Sequence, residues 1–442
     1  MPTSVAARRA FIDGGFTPAT VRIEDGRVAR IDPFDPAAET VLPDDAVLLP
    51  GLVDSHVHLD EPGRTEWEGF ATGTAAAAAG GVTTLIDMPL NSVPVTTSPE
   101  ALAAKRAAAS GKLAVDVAYW GGAVPENLGR LRELADAGVV GFKCFLLPSG
   151  IDEFGHLDAA QLERALAELA AFDGLLIVHA EDPAHVHGDG ALGVRYADFL
   201  ASRPPVGERV AIRRVIDAAR RTGARVHIVH VSDGGALDQV RAAKAEGVRI
   251  TVETCPHYLT LDAAQVPDGA ASFKCCPPIR DAANQDLLWE GLLDGTIDAV
   301  VSDHSPSTAD LKDPDFGLAW GGIAGLQTGL SAVHTEARRR GIPLERLLPW
   351  MTTGPARVAG LAGPGRIRPG APAHLVEFAP DEEFVVHADR LEYRNPLSPW
   401  DARTLSGVVR TTYLRGSTVY RRGQAVSERN GDELLVMSEE RA

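Results

Sequence analysis

Apolar runs and alanine-rich amphipathic stretches alternate along the middle of the chain. The apolar runs are "GLVDSHVH", "GVTTLIDM", "LAVDVAYW", "GVVGFKCF", "GLLIVHA", "RVHIVHV", "VRITVET" and "IDAVVSD". Helical stretches such as "DAAQLERALAELAAF" lie between most of them, and glycine follows several of these helices. Nearly continuous apolar strands that alternate with helices are typical of a parallel sheet covered by helices. Eight such strands predict an α/β fold, a (β/α)8 barrel of the TIM type over residues 52–364.

The two ends of the chain follow a different pattern, that of short strands joined by turns. Residues 1–51 contain "EDGR" between two alternating runs, which indicates a hairpin. Residues 365–442 repeat this character in "GRIRPGAPAHLVEFAP" and "GVVRTTYLRGSTVYRRGQAV". We expect the two ends to build one small β-sandwich domain together.

Charge and composition narrow the class of partner. A net charge of −17 argues against nucleic acid and against an anionic membrane surface, since both require basic patches. No run approaches the ~20 apolar residues of a membrane span, and the first residues do not resemble a secretion signal. A cytoplasmic protein is expected. The four cysteines do not form a disulfide framework and are expected to be small buried residues: Cys144, Cys255, Cys275 and Cys276.

Polar residues stand where the predicted barrel strands end. His56 and His58 alternate along the first strand and therefore project to the same face. The other strand-end residues are Lys143, His179, His230 and Asp303. Each has an ordinary structural interpretation, as a hydrogen-bonded histidine, a helix-capping aspartate or a lysine with its stem on apolar surface. Together they place four imidazoles, an amine and a carboxylate at one end of the barrel, which predicts a metal site.

Lys143 specifies the kind of metal site. A plain ammonium would be repelled by a neighbouring cation, whereas a carbamylated lysine would supply an anionic oxygen able to bridge two ions. Imidazole ligands favour zinc over magnesium or calcium. We therefore predict N6-carboxylation of Lys143 and two divalent ions, zinc, bridged by this group and by hydroxide.

This set of residues resembles the metal centre of the amidohydrolase superfamily, in its cyclic-amide branch of dihydroorotases, hydantoinases and allantoinases. The resemblance covers nearly the whole chain, including the divided β-sandwich. It implies a binuclear centre whose ligands are His56, His58, Lys143, His179, His230 and Asp303. It also implies a homotetramer.

Sequence differences discriminate between the members of this branch. Dihydroorotases carry "HxHLREPG", in which the arginine binds the substrate carboxylate, whereas this chain reads "HVHLDEPG" with Asp60, which would repel one. Hydantoinases and dihydropyrimidinases usually carry a tyrosine five residues after the bridging lysine, where this chain has Pro148. The segments "EPGRTEWEGF", "GFKCFL", "ETCPHYL", "KCCPPIRD", "AWGGIAGLQTGL" and "LEYRNPLSPW" resemble allantoinases.

The implied substrate is allantoin, whose hydantoin ring is opened to allantoate in purine (ureide) breakdown. A broad hydantoinase or dihydropyrimidinase is the alternative within enzymes, and a dihydroorotase is a further one. A catalytically silent scaffold is the alternative outside enzymes, although such relatives typically lack several metal ligands.

Catalysis and substrate binding are assigned to four residues. Asp303 is expected to accept the proton of the bridging hydroxide and to deliver it to the departing ring nitrogen. The resemblance suggests Asn91 and Ser305 as substrate contacts, with a turn residue and a helix cap as their structural alternatives. Arg64 is a further candidate for substrate binding, with a surface ion pair as its alternative.

Overall fold

The computed structural model describes residues 3–187, 190–426 and 429–436 of the chain. The predicted end segments also include residues 1–2, 427–428 and 437–442, which lie outside the described residues. The strands are β1 (Ser4–Ile12), β2 (Gly15–Glu24), β3 (Arg27–Pro33), β4 (Thr40–Val41), β5 (Val47–Pro50), β6 (Leu52–Val57), β7 (Val82–Asp87), β8 (Asp116–Tyr119), β9 (Gly121–Gly122), β10 (Phe142–Phe145), β11 (Leu175–His179), β12 (Arg225–Ile228), β13 (Ile250–Thr254), β14 (Ala299–Val300), β15 (Leu375–Val385), β16 (Thr404–Leu414) and β17 (Ser417–Arg421).

The α-helices lie mainly between the central strands. They are α1 (Phe70–Ala79), α2 (Pro99–Ala109), α3 (Leu131–Asp136), α4 (Ala159–Ala170), α5 (Tyr196–Ser202), α6 (Pro205–Thr222), α7 (Leu237–Ala245), α8 (Pro256–Thr260), α9 (Ala282–Leu293), α10 (Gly329–Arg339), α11 (Leu344–Met351) and α12 (Thr353–Val358). None of the helices in the described ranges is both long enough and apolar enough to span a membrane.

Helix ends follow the local sequence. Asp158 begins α4 by accepting a hydrogen bond from the Gln161 backbone N–H, and the Gln161 side chain accepts one from the Asp158 backbone N–H. Gly223 ends α6 with a φ of 71°, the left-handed conformation that glycine adopts most readily. These signals fix where the chain turns back toward the next strand.

Strands from both chain ends share one sheet. Its order is β17-β16-β15-β5-β1-β2-β3, with β4 paired to β1. The two ends join where β5 pairs antiparallel with β15, which places Leu49 opposite Val376. Apolar side chains from β1, β2, β3, β5, β15 and β16 meet in one buried cluster beside this sheet.

The central strands are parallel and connected through helices. One sheet has the order β6-β7-β8 and another has the order β14-β13-β12-β11-β10-β9, with parallel pairing throughout. Every residue of β6, β7, β10 and β11 is buried, which explains their continuous apolar character. The α/β class predicted from the alternating pattern is confirmed.

The first and last central strands also approach each other. Val57 and His304 form a parallel bridge, and the His58 backbone N–H donates to the His304 carbonyl at 2.8 Å. The eighth apolar run contributes only Ala299–Val300 as a strand, because the Ser302 N–H then donates to the Asp54 side chain at 3.0 Å instead of to a neighbouring backbone. The chain is thereby free to turn at Asp303.

Candidate metal centre and active site

Most of the predicted site residues line one cavity at the carboxyl ends of the parallel strands. Its volume is about 250 Å³. The six predicted ligands all line it, as do Asn91 and Ser305; the ligands are His56, His58, Lys143, His179, His230 and Asp303. The structure therefore brings together residues that are far apart in the sequence, at the end of the strands where they were expected.

His56 lies between two carboxylates, one hydrogen-bonded to Nδ1 and the other close to Nε2. Its Nδ1 lies 2.6 Å from Glu253 Oε1, and since a carboxylate only accepts, Nδ1 carries the proton. In the neutral imidazole Nε2 is then unprotonated, and it lies 3.1 Å from Asp303 Oδ1 without a hydrogen bond. His58 Nε2 lies 3.8 Å from the same oxygen. Buried lone pairs that face each other fit a site in which a cation lies between them.

His179 and His230 form the opposite side of the cluster. Glu181 accepts a hydrogen bond from His179 Nε2 at 2.8 Å, while His179 Nδ1 lies 3.0 Å from His230 Nε2. Burial lowers the pKa of His179 to about 4, although Glu181 opposes the change. His230 Nδ1 has no hydrogen-bond partner in the described part of the chain. Neutral imidazoles of this kind are the form that binds metal.

Lys143 is buried without a counter-ion in contact. Its Nζ lies 4.9 Å from the centre of the Phe145 ring, and no residue in the described ranges forms a hydrogen bond or salt bridge with it. Burial lowers the pKa of Lys143 to about 8, and Asp303 partly opposes this effect. The amine is therefore held in its neutral form more readily than an exposed lysine.

Three of the cavity residues have a left-handed backbone. The φ angles are 68° at Asn91, 39° at His230 and 45° at Asp303. Non-glycine residues rarely adopt this conformation, and it is concentrated at functional sites. It turns the chain sharply at the ends of three parallel strands and directs their side chains into the same space.

The ligand atoms differ in how closely they approach each other. Those of His56, His230 and Asp303 lie within 4.8 Å of one another. His58 and His179 lie outside this group of three, although they line the same cavity. A second group with the same spacing is formed by Cys255, His257 and Asp303. Imidazole and carboxylate donors fit a borderline divalent ion such as zinc.

Two carboxylates behind the histidines were not identified from the sequence. Glu253 on β13 binds His56 and also accepts a hydrogen bond from His227 Nε2 at 2.9 Å. Burial would raise the pKa of Glu253, but His227 and His56 outweigh it and lower this pKa to about 2. A charged residue within the apolar run "VRITVET" is the signal that indicates such a role. Glu181, in "HAED", holds His179 in the same way.

Arg64 lies outside the cavity wall. Its guanidinium donates to the Asn91 carbonyl at 2.7 Å and to Glu153 at 2.9 Å, and it lies over the Trp67 ring. The predicted contact with substrate would therefore be indirect, because Arg64 holds the loop that carries Asn91.

Asp60 also differs from its expected role. It is fully buried, does not line the cavity, and has no hydrogen-bond partner for either carboxyl oxygen in the described part of the chain. Burial, reinforced by Asp87, raises the pKa of Asp60 well above its usual range. Asp60 therefore does not meet a substrate directly, and the exclusion of dihydroorotate by charge at Asp60 stays a prediction.

Further cavity residues have no counterpart among the predicted ones. Arg203, Lys274 and Trp320 line the cavity. Pro148 also lines it, at the position where hydantoinases usually carry a tyrosine. None of the three follows a predicted strand directly, so strand-end reasoning does not find them.

Comparison with known proteins assigns the chain to a family. A sequence profile described as "Amidohydrolase family" matches residues 47–419. "Allantoinase" of Streptomyces avermitilis is 56% identical over 422 residues, covering 94% of this chain and 95% of that protein. "Allantoinase" of Arabidopsis thaliana is 44% identical over 411 residues, covering 89% of this chain and 81% of that protein.

A solved structure supports the same assignment. The L-hydantoinase (dihydropyrimidinase) from Arthrobacter aurescens superposes with a TM-score of 0.90 at 30% sequence identity, covering 99% of this chain and 100% of that one. The chain therefore belongs to the amidohydrolase family, and within its cyclic-amide branch it groups with the allantoinases.

Proposed function

We propose that this enzyme hydrolyses the hydantoin ring of allantoin to give allantoate. The observation that carries the proposal is the convergence of four imidazoles, Lys143 and Asp303 on one cavity, in a chain 56% identical to an allantoinase. Pro148 supports the choice over a hydantoinase, because the cavity wall has no tyrosine hydroxyl at this point. Allantoin is uncharged near neutral pH, so the net charge of −17 does not oppose its entry.

We infer that the parallel strands close into a (β/α)8 barrel. β7 pairs with β8, and β9 pairs with β10. Only Trp120 separates β8 from β9, so the two sheets are continuous along the chain at this point. The Val57–His304 bridge joins β6 to the segment that follows β14. The sheet of the chain ends is inferred to fold into a β-sandwich, because its strands share one buried apolar cluster and register shifts interrupt β1 and β15.

We infer that the cavity holds two divalent ions, with zinc as the expected metal. The ligands would be His56, His58, Lys143, His179, His230 and Asp303. The facing lone pairs of His56 and the Asp303 carboxylate support a cation between them. A neutral Lys143 amine reacts with carbon dioxide to form a carbamate and release a proton, which would convert it into an anionic ligand.

When bound, such ions would stabilise hydroxide near neutral pH and polarise the ring carbonyl. Asp303 would accept the proton of the attacking hydroxide as the hydroxide oxygen bonds to the carbonyl carbon. The bond from this carbon to the ring nitrogen then breaks, and Asp303 returns the proton to the nitrogen, which leaves poorly as an anion. The carbonyl carbon becomes the carboxylate of allantoate.

Asn91 and Ser305 are proposed to orient the ring. Both line the cavity, and the Asn91 amide lies 3.4 Å from His58 Nδ1. The Ser305 backbone N–H is engaged with the Ile323 carbonyl at 3.0 Å, which fixes the loop while its hydroxyl remains at the wall. An amide and a hydroxyl match a ring that offers both N–H and C=O groups.

A homotetramer is proposed from the family resemblance, and light scattering coupled to size-exclusion chromatography measures it directly. A single subunit mass in solution would contradict it. The cytoplasmic location stays a prediction.

Turnover on four substrates tests the proposed function. Purified, zinc-supplemented protein is assayed with allantoin, dihydroorotate, unsubstituted hydantoin and dihydrouracil. We expect the largest kcat/KM with allantoin. Comparable or larger values with hydantoin or dihydrouracil would assign the enzyme to the hydantoinases, and no turnover of any substrate by metal-loaded protein would favour a silent scaffold.

A further inference from the structure

Arg203 brings a guanidinium to the cavity wall from outside the set of strand ends. It follows directly after α5 and lines the cavity beside the predicted ligands. Its Nη1 donates to Glu181 Oε2 at 2.5 Å, and the same oxygen lies 2.8 Å from His179 Nε2. Arg203 is therefore anchored next to a predicted ligand, although nothing in the proposed chemistry requires its charge.

Most hydrogen-bonding capacity of this guanidinium is unused. Arg has five N–H donors in a planar fork. Glu181 is the one acceptor that its guanidinium has within the described ranges, and 19% of the side chain is exposed. The donors that do not face Glu181 are available to a ligand in the cavity.

Two other polar groups of the same wall each donate a hydrogen bond to the protein. Lys274 Nζ donates to the Ala319 carbonyl at 2.5 Å, and Ser149 Oγ donates to the Phe154 carbonyl at 2.6 Å. Lys274 shares with Arg203 a positive charge and unused donors, but of the two only Arg203 presents its donors in a planar fork. A guanidinium with unused donors suits a neutral acceptor here, because Glu181 already balances the charge of Arg203.

We propose that Arg203 binds the carbonyl oxygen of the ureido group attached to the hydantoin ring, and that it determines specificity for ureido-substituted rings. This inference rests on the proposed hydrolysis of allantoin. The ureido group is bonded to the ring carbon next to the reacting carbonyl, so it extends from the reacting centre toward the surrounding wall. Its carbonyl oxygen has two lone pairs and accepts N–H bonds from the guanidinium, whose planar fork directs more than one donor to the same place, unlike an ammonium.

The test compares two substrates within one preparation of each variant. Arg203→Lys keeps a positive charge beside Glu181 but loses the planar fork, and Arg203→Gln is a second, uncharged variant. Allantoin carries the ureido group and unsubstituted hydantoin lacks it. The ratio of their kcat/KM values does not depend on the fraction of correctly folded enzyme, so partial misfolding leaves the result interpretable.

We expect the allantoin-to-hydantoin ratio of kcat/KM to fall about tenfold to 100-fold in both variants, since hydrogen bonds from charged donors typically contribute a factor of this size. The loss should be mainly in KM, because a group remote from the breaking bond is bound before and during the reaction. Arg195→Lys is the matched control at the other end of α5. Arg195 is 67% exposed and is paired with Asp198, so this control should leave the ratio unchanged.

Two results would overturn the inference. Equal losses for both substrates, including complete loss, would show that Arg203 supports the fold or binds the carboxylate that every ring-opening produces. An unchanged ratio would show that the ureido group lies elsewhere. Both results can be told apart from a wrong assignment of function. In that case the unmodified enzyme would turn over hydantoin but not allantoin.

Discussion

At the level of single residues, the cavity brings His56 and Asp303 into a contact that a cation between them would make favourable. His56 is fixed by Glu253 so that its unprotonated nitrogen faces the Asp303 carboxylate at 3.1 Å. Removing Glu253 would release the His56 ring and its proton position together, which is how residues behind metal ligands commonly act. The accuracy of the site therefore depends on side chains that never touch the substrate.

Replacement of Lys143 by alanine tests the predicted bridging ligand. The variant should lose both metal and turnover, because no other anionic group in the described ranges takes the place of a carbamate. Short carboxylic acids should restore part of both by occupying the same space. Metal content by mass spectrometry and turnover of allantoin are measured with and without added acetate or propionate. A variant that retains both metals and full turnover would show that the bridging assignment is wrong.

The sequence predicts residues of this cavity only where they follow a strand. His56, Lys143 and His179 were identified because strand ends meet at one place in a parallel fold. Arg203 comes after a helix, and Glu253 does not line the cavity but hydrogen-bonds to His56, so their roles depend on contacts that no spacing rule encodes. Asp60 shows the converse, since His58 of the same motif lines the cavity whereas Asp60 is buried and does not.

At the level of elements, a loop on the carboxyl side of β14 holds Ser305 in place. Gly322 has a φ of 139°, and a Cβ there would lie 2.1 Å from the Ser305 carbonyl oxygen. The Gly322 N–H donates to the Lys274 carbonyl at 2.8 Å, which fixes the loop against the segment after β13. Only a residue without a side chain fits this approach.

Gly322→Ala should therefore destabilise the protein by about 1–3 kcal/mol, since both the backbone conformation and the contact with Ser305 become strained. Gly321→Ala is the adjacent control, because a Cβ there meets only Cys276 Sγ at an ordinary 3.5 Å. Thermal unfolding of the two variants is compared with that of the unmodified protein. Equal midpoints for both variants would contradict the close approach.

Element type was more predictable than element length. The spacing of apolar positions indicates each strand and helix, because the apolar residues are those on the buried face of the element. The extent of the eighth strand was not predictable, since the Asp54 side chain takes the place of a backbone partner at Ser302.

At the level of the whole molecule, the segment 430–436 from the far end of the chain runs alongside β8, where Glu433 forms a parallel bridge with Val117. The Val117 N–H donates to the Asp432 carbonyl at 2.9 Å, and the Leu434 N–H donates to the Val117 carbonyl at 2.8 Å. Glu433 accepts hydrogen bonds from Tyr119 Oη at 2.7 Å and from Arg106. The segment thus adds backbone and side-chain hydrogen bonds to β8 and to α2.

Glu433→Ala should lower the free energy of unfolding by about 1–3 kcal/mol, because it leaves the buried Tyr119 hydroxyl without an acceptor. Glu163→Ala is the control, since Glu163 forms an exposed pair with Arg221 and such pairs contribute about 0–1 kcal/mol. Chemical denaturation measures both. Equal stabilities of the two variants would show that the segment contributes little.

Acid should destabilise the protein through buried neutral histidines. Burial lowers the pKa of His334, and Arg338 lowers it further, whereas Asp381 raises it. His334 Nε2 donates to the Pro380 carbonyl at 3.0 Å. The unfolded chain therefore binds more protons at this histidine below about pH 6.5, so stability falls as the pH falls, by at most about 1.4 kcal/mol per unit. His334→Gln keeps a donor but does not titrate.

The pH dependence of unfolding is compared between metal-free His334→Gln and metal-free unmodified protein, so that metal release does not contribute. We expect a shallower loss of stability in the variant as the pH falls below about 6.5. Parallel curves would indicate that His334 titrates alike in the folded and unfolded chains.

The pairing of β5 with β15 has a consequence for synthesis on the ribosome. Val47 pairs with Phe378, so the first strands emerge long before their partner is made. At about 5–20 residues per second the delay amounts to tens of seconds. During that time the apolar edge of the nascent amino-terminal hairpin has no neighbour and is a candidate for chaperone binding, whereas the parallel strands between them can assemble in the order in which they appear.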